Sequence, residues 1–229
     1  MKVTKYAQST ILIEERGTAL LIDPGKYNFE NRGISRDFFR HINLLFITHR
    51  HEDHYDLEAV KTIYLQSKPK IYTVSEVSSS LKKEGIDSVI FKVGNTIEEG
   101  PFSIKAIHTY HKVKGELIDC FGLFVRSGNQ SLYHTSDTLY LKEKPNNVGV
   151  LFVPINNRDV CMSIDEAVRF TREVKPKIVI PIHYDSPKDT TINPRDFLSK
   201  ITSYNIESKI MNFGDSIDVS KHVFSGRTE

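Results

Sequence analysis

The sequence predicts a layered α/β (α+β) domain in which helices cover sheets. Three observations carry this. Short runs rich in β-formers fill the first fifty residues; continuous apolar runs, of the kind that form buried inner strands, recur at 44–48, 148–153 and 177–182; and stretches with helical periodicity are interleaved with the strands. The 229 residues, 39% hydrophobic and 10% aromatic, can bury a proper core as one domain spanning 1–229. No linker, low-complexity tract or internal repeat divides them.

Val3 to Tyr6, Thr10 to Ile13 and Thr18 to Ile22 read as short strands, followed by the turn signal Asp23-Pro24-Gly25. Residues 34–41 read as a short helix. Leu44 to Thr48 is a buried strand that ends on His49. Asp56 is a good N-cap for a helix that places Leu57, Val60 and Tyr64 on one face. Lys70 to Val74 reads as a strand, and Ser75 opens a helix that Gly85 closes. Residues 88–93, 102–107, 119–126 and 130–134 read as four strands, and Val148 to Val153 as a buried one. Ser163 and Glu166 make a capping box for a helix with an Ile164, Ala167, Val168, Thr171, Val174 stripe, stopped by Pro176. Lys177 to Ile182 is a buried strand ending on His183, and Asn193-Pro194 opens a last helix.

Charge excludes some classes of partner. The 31 basic and 29 acidic residues nearly cancel, which argues against a disordered chain, a nucleic-acid binder or a binder of anionic membranes. No apolar run approaches the roughly 20 residues of a membrane helix. The first residues, MKVTKYAQST, lack the apolar stretch of a secretory signal. Cys120 and Cys161 therefore read as reduced thiols in a cytoplasmic protein.

The chemistry is concentrated in His49-Arg50-His51-Glu52-Asp53-His54, an H-x-H-x-D-H pattern. His49 and His51 are two apart on a segment leaving a strand, so both side chains face one way. Asp53 and His54 follow as the chain turns into a helix. Imidazole and carboxylate are donors suited to zinc, and also to manganese or iron. A metal pair needs further donors, and His108, Asp137 and His183 stand at or just after the ends of expected strands.

That pattern, then a distal His, an Asp in Ser136-Asp137-Thr138 and a His in Ile180-Pro181-Ile182-His183-Tyr184, resembles the metallo-β-lactamase-fold hydrolases from about Asp23 to His183. The resemblance implies a four-layer αβ/βα sandwich with metals at one edge of two facing sheets. It implies that His49, His51 and His108 hold one metal, that Asp53, His54 and His183 hold the other, and that Asp137 bridges them. His108 is favoured over His111 because the family's ligand follows a small residue, here Ala106, by two. A narrower resemblance, in Tyr133 to Thr138, Val153 to Asp159 and Ile180 to Asp185, is to the ascorbate-6-phosphate lactonase-like branch. The chain departs from that branch in the short segment between Asp159 and Met162 and in Ser136, where a glycine is usual.

The expected function is a binuclear metal-dependent hydrolase acting on a small molecule. Two divalent ions, zinc first with manganese or iron as alternatives, would share a water and deliver it as hydroxide to an ester, a lactone (a sugar-acid phosphate lactone among them) or a phosphoester. Asp53 would orient the nucleophile and His111 would protonate the leaving group. Asn156, Arg158 and Tyr184, near the ends of buried strands, would bind substrate. Asp23 and His134 would hydrogen-bond the metal ligands from behind. The alternatives are a nuclease or phosphodiesterase on the same fold, for which no basic arm is visible, and a non-catalytic metal-binding sensor. A homo-oligomer is compatible with the sequence.

Overall fold

The structure is a computed structural model that describes residues 1–156 and 160–222. The first sheet is built from β1 (Lys2–Lys5), β2 (Ile11–Glu15), β3 (Thr18–Ile22), β4 (Leu44–Ile47), β5 (Lys70–Thr73) and β6 (Val89–Ile90). The second takes β7 (Thr96–Glu99), β8 (Phe102–His108), β11 (Phe121–Ser127), β12 (Gln130–His134), β13 (Val150–Pro154), β14 (Ile178–Ile182) and β15 (Glu207–Ser208). Strands β9 (His111–Val113) and β10 (Glu116–Ile118) form a separate hairpin, and β16 (Ser216–Asp218) returns to pair with β1 in the first sheet. The orders are β16-β1-β2-β3-β4-β5-β6 and β15-β14-β13-β12-β11-β8-β7.

Side-chain alternation explains the layers. On β13 and β14, Val150, Phe152, Ile178, Ile180 and Ile182 enter the core shared with the first sheet. Their neighbours Leu151, Val153 and Val179 face the other way, onto α4 (Ile164–Val174) and α5 (Pro194–Thr202). Strands buried on both faces must be apolar throughout, which is why 148–153 and 177–182 are legible in the sequence. Across the molecule, Ala59, Val60 and Ile63 of α2 (Leu57–Ser67) and Val77 and Leu81 of α3 (Ser75–Lys83) join the first sheet's core. The result is a mixed α/β sandwich of two sheets with few helices.

The helix starts follow their caps. Asp56 accepts from the Ala59 amide at 2.8 Å, Ser163 and Glu166 form the reciprocal capping box, and Asn193 caps α5 with Pro194 in its first turn. One expectation fails: residues 34–41 are irregular, and the short helix lies earlier, at α1 (Tyr27–Glu30). Phe38 and Phe39 instead pack edge-on against Tyr6, with ring centroids 5.7 and 5.0 Å away. A helix of two turns is marginal alone, and this aromatic packing outweighs it. No helix among the described residues is long and apolar enough to cross a membrane.

In each sheet a parallel set (β3-β4-β5-β6 and β12-β13-β14-β15) sends its C-terminal strand ends to an edge. Loops leaving such ends are where an open α/β sheet gathers functional side chains.

Candidate metal centre

Three of those loops carry the histidine-rich segments. His49 follows β4, Asp137 follows β12 and His183 follows β14 directly; His111 opens β9. Their donor atoms form two groups, His49, His51, His111 and Asp137 in one and Asp53, His54, Asp137 and His183 in the other, with the atoms of each within 4.8 Å of one another. In the first, His51 Nδ1 lies 3.0 Å from His49 Nε2 and 3.1 Å from His111 Nε2. In the second, His183 Nε2 lies 3.1 Å from Asp53 Oδ2 and 3.2 Å from Asp137 Oδ2.

Burial and charge divide these groups. Burial pushes the His49, His51 and His111 rings below the ordinary histidine range, and neighbouring histidines push the same way against the opposing pull of Asp137, which disfavours charge on all three. Burial also disfavours charge on His54 and His183, but there Asp137 and the other carboxylates outweigh it and raise both well above the usual value. Burial would raise the Asp137 carboxyl, yet His183 and His54 hold it well below its usual range.

The donors fit a cation. His54 Nε2 and Asp137 Oδ1 are both buried without a hydrogen-bond partner among the described residues. They lie 3.3 Å apart and are not hydrogen-bonded to each other. Two orphaned buried polar atoms are costly, and a cation bound by both would satisfy them.

Behind the donors, Asp23 is fully buried and accepts from the Thr48 amide, the Thr48 hydroxyl and His54 Nδ1, all at 2.7 Å. That bond keeps a His54 proton on Nδ1 and points Nε2 at Asp137, so Nε2 is the nitrogen left to a cation. His49 Nδ1 lies 3.1 Å from Thr48 Oγ1, which also accepts from Ser136 Oγ at 2.7 Å. His134 is buried with both nitrogens engaged: Nε2 donates to Ser9 O at 2.9 Å and Nδ1 accepts from the Ser136 amide at 3.2 Å. It braces the turn that carries Asp137. Gly25 is required for close approach: a Cβ there would stand 1.8 Å from the Asp53 carbonyl oxygen.

Several sequence expectations need correction. His108 is exposed at the end of β8, paired with Phe121, and belongs to neither group; His111 takes the place expected for it. The second sheet's strand β8 ends at His108, Thr109 and Tyr110 belong to no strand, and His111 opens a separate hairpin in which it is buried. His111 Nδ1 donates to Val160 O at 2.8 Å while Nε2 faces the group, so no ring nitrogen is left to protonate a leaving group. Asn156 is buried behind His183, its amide 3.4 Å from Nδ1, rather than at a substrate surface. Tyr184 donates its hydroxyl to Met211 O at 2.8 Å and packs under Lys5. Arg158 lies outside the described residues.

Sequence reasoning missed Thr48, Gly25 and the thiols. Cys120 Sγ is 3.6 Å from His49 Nδ1 and Cys161 Sγ 3.9 Å from His183 Nδ1, so each buried cysteine backs a different group. Burial pushes them up to about 12 and about 11, which keeps both as thiols. Nothing in the sequence marks them, because their partners are distant in the chain.

A two-sheet α/β sandwich with a histidine and aspartate donor set at one edge defines a metallo-β-lactamase-type fold. Residues 2–183 match the beta-lactamase superfamily domain, and the chain belongs to that family. It is 28% identical over 232 residues to a UPF0173 metal-dependent hydrolase of Nanoarchaeum equitans, covering 96% of this chain and 100% of the relative. Two solved structures share the fold. Igni18, a metallo hydrolase from Ignicoccus hospitalis, has a TM-score of 0.75 at 21% identity and covers 94% of this chain and 97% of its own. The metallo-beta-lactamase fold protein YhfI from Bacillus subtilis has a TM-score of 0.73 at 19% identity and covers 94% and 98%.

Proposed function

We propose that the chain is a metal-dependent hydrolase that binds two divalent ions, zinc first with manganese or iron as alternatives, and acts on an ester or lactone. The observation that carries the reading is the pair of donor groups sharing Asp137, with two buried donor atoms left without other partners. His49, His51 and His111 would hold one ion, Asp53, His54 and His183 the other, and Asp137 both. When bound, such ions supply a Lewis acid and an activated water at neutral pH. The chain's own residues prepare the place. Asp23 fixes the His54 tautomer, and Thr48 does the same for His49. Asp53, with 17% of its side chain exposed against 3% for Asp137, is the carboxylate open to substrate and can orient a nucleophile.

Charge pairing around the site favours a carboxyl ester over a nucleic-acid phosphodiester. Arg50 is paired with Glu76, and Lys26 and Lys188 with Glu52. Cations committed to carboxylates offer little to a polyphosphate backbone. A lactone of a sugar-acid phosphate, the substrate class of the lactonase-like branch, is the first compound to try.

The test is a hydrolysis panel on zinc-loaded protein: p-nitrophenyl acetate, sugar lactones with and without phosphate, and bis-p-nitrophenyl phosphate. Turnover of the esters or lactones, lost in His111→Ala and His183→Ala, is expected. Turnover of the phosphodiester alone would overturn the substrate class, and a fully loaded protein inert on the whole panel would favour a metal-binding sensor.

A further inference from the structure

A cleft of about 540 Å3 opens on the outer face of the second sheet and includes none of the donor residues of the metal centre. Its origin is the alternation on β8 and β11. Phe102, Ile104 and Ala106 enter the inter-sheet core, as do Leu123 and Val125. Lys105, Ile107, Phe124 and Arg126 therefore face outward, with Lys105 opposite Phe124 and Arg126 opposite Ser103. Ile107 and Phe124 make an apolar floor that continues into the core beneath α4 and α5. The segment 143–146 forms one wall, and His108, the strand-end histidine the metal centre leaves out, stands at another.

The charges of this cleft are unbalanced. Lys105 and Arg126 are exposed, share one face and have no ion pair among the described residues. Lys144, by contrast, is held by Glu173 at 2.6 Å. The cleft's acidic residue is Glu143, and Glu98 lies on the same face beyond Ser103. Two cations on one face of a concave site, above an apolar floor, are placed to take an anionic group whose body rests on that floor. The volume is within the roughly 300–1,000 Å3 range of small-molecule sites, which combine apolar walls with a few placed charges.

We propose that this cleft is a second binding site, for a small organic anion with an apolar or aromatic body. The floor takes the body; Lys105 and Arg126 take the anionic group, with Arg126 able to bind it in two-pronged fashion.

The probe is 8-anilinonaphthalene-1-sulfonate, which has that chemistry, titrated by fluorescence into zinc-loaded protein. One equivalent is expected to bind, at least tenfold more weakly in Lys105→Glu and in Arg126→Glu, and unchanged in Lys209→Glu, an exposed control. Lys105→Gln and Arg126→Gln, which cannot clash with Glu98 or Glu143, should show a smaller loss in the same order. The neutral dye N-phenyl-1-naphthylamine should bind more weakly than the sulfonate. Dye binding within twofold of the parent in both charge reversals overturns the proposal, as does equal binding of the neutral dye. The hydrolysis panel is independent of this outcome.

Discussion

Asp23→Asn isolates what the buried carboxylate does for the metal centre, because it keeps the shape and removes the charge. The amide oxygen must continue to accept from the Thr48 backbone N–H, which at 2.7 Å has no alternative partner. The amide NH2 then faces His54 Nδ1, where a proton now sits opposite Asp23 at 2.7 Å. Two donors cannot face each other, so when His54 gives up a proton the one it keeps sits on Nε2, toward Asp137 3.3 Å away, and the lone pair points away from the site. Binding a cation with His54 requires the reverse tautomer and leaves a buried donor unpaired, at about 1–3 kcal/mol. At 1.4 kcal/mol per tenfold, that is a loss of about 5- to 150-fold in zinc affinity, in the range seen when hydrogen-bond partners of ligating histidines are removed. The loss should fall on the group containing His54 and spare the one containing His49. The assay is competition with a chromophoric chelator, fitted to two sites, with zinc per chain measured by mass spectrometry and the fold checked by near-ultraviolet circular dichroism. Two equivalents held at parental affinity would refute the tautomer argument. Loss from the first group alone would refute the assignment of Asp23 to His54.

Other predictions follow from the same geometry. His111→Ala should lose about one equivalent of zinc and His108→Ala none; the reverse result in an elemental analysis would restore the sequence reading. Gly25→Ala should destabilise the chain by about 1–3 kcal/mol or more, measured by urea unfolding, because its methyl meets the Asp53 and His54 backbone rather than a movable side chain. In metal-free protein, His54 and His183 are raised by their carboxylates, so zinc must displace two protons from that group. Its affinity should rise up to about 100-fold per pH unit around neutrality, while the group with lowered histidines stays flat above pH 7. The sign for stability is opposite. Raised histidines stabilise the metal-free fold fully below about pH 6.5, and this is lost as pH rises through their folded-state values, so its melting temperature should fall on the alkaline side.

The sequence exposes what is set by local periodicity and hides what is set by the direction of a side chain. His49, His51 and His54 are legible because a strand end and a helix start dictate their directions within six residues. The choice between His108 and His111 is not, because it depends on where β8 stops and on a hairpin too short to show a period. Asn156 and Tyr184 lie near the right edge, but Asn156 is buried against the His183 ring and Tyr184 is tied to Met211 O, and strand position alone does not settle which way a loop residue faces. Asp23 is readable as a carboxylate near the histidines, and the structure puts it on the His54 ring, whereas Thr48, which ties Asp23 to His49 and Ser136, carries no signal of its own.

The backbone at this edge gives a physical reason for Ser136. Asp23, Ser136 and His183 all adopt left-handed conformations, with φ of 50°, 56° and 63°. For residues other than glycine this costs on the order of 1 kcal/mol each, and persists only where the surroundings over-determine it. Asp23 is fixed by three donors to its carboxylate, and Ser136 by its hydroxyl on Thr48 and its amide on His134. A glycine at 136 would adopt φ of 56° without strain but could not make the 2.7 Å bond to Thr48. One buried hydrogen bond is worth about 0.5–1.5 kcal/mol, close to the backbone cost, so serine and glycine are nearly equivalent in stability here. They differ in what they connect. Serine ties the turn carrying Asp137 to the same threonine that orients His49 and is held by Asp23, so the two donor groups share one hydrogen-bonded support as well as one carboxylate.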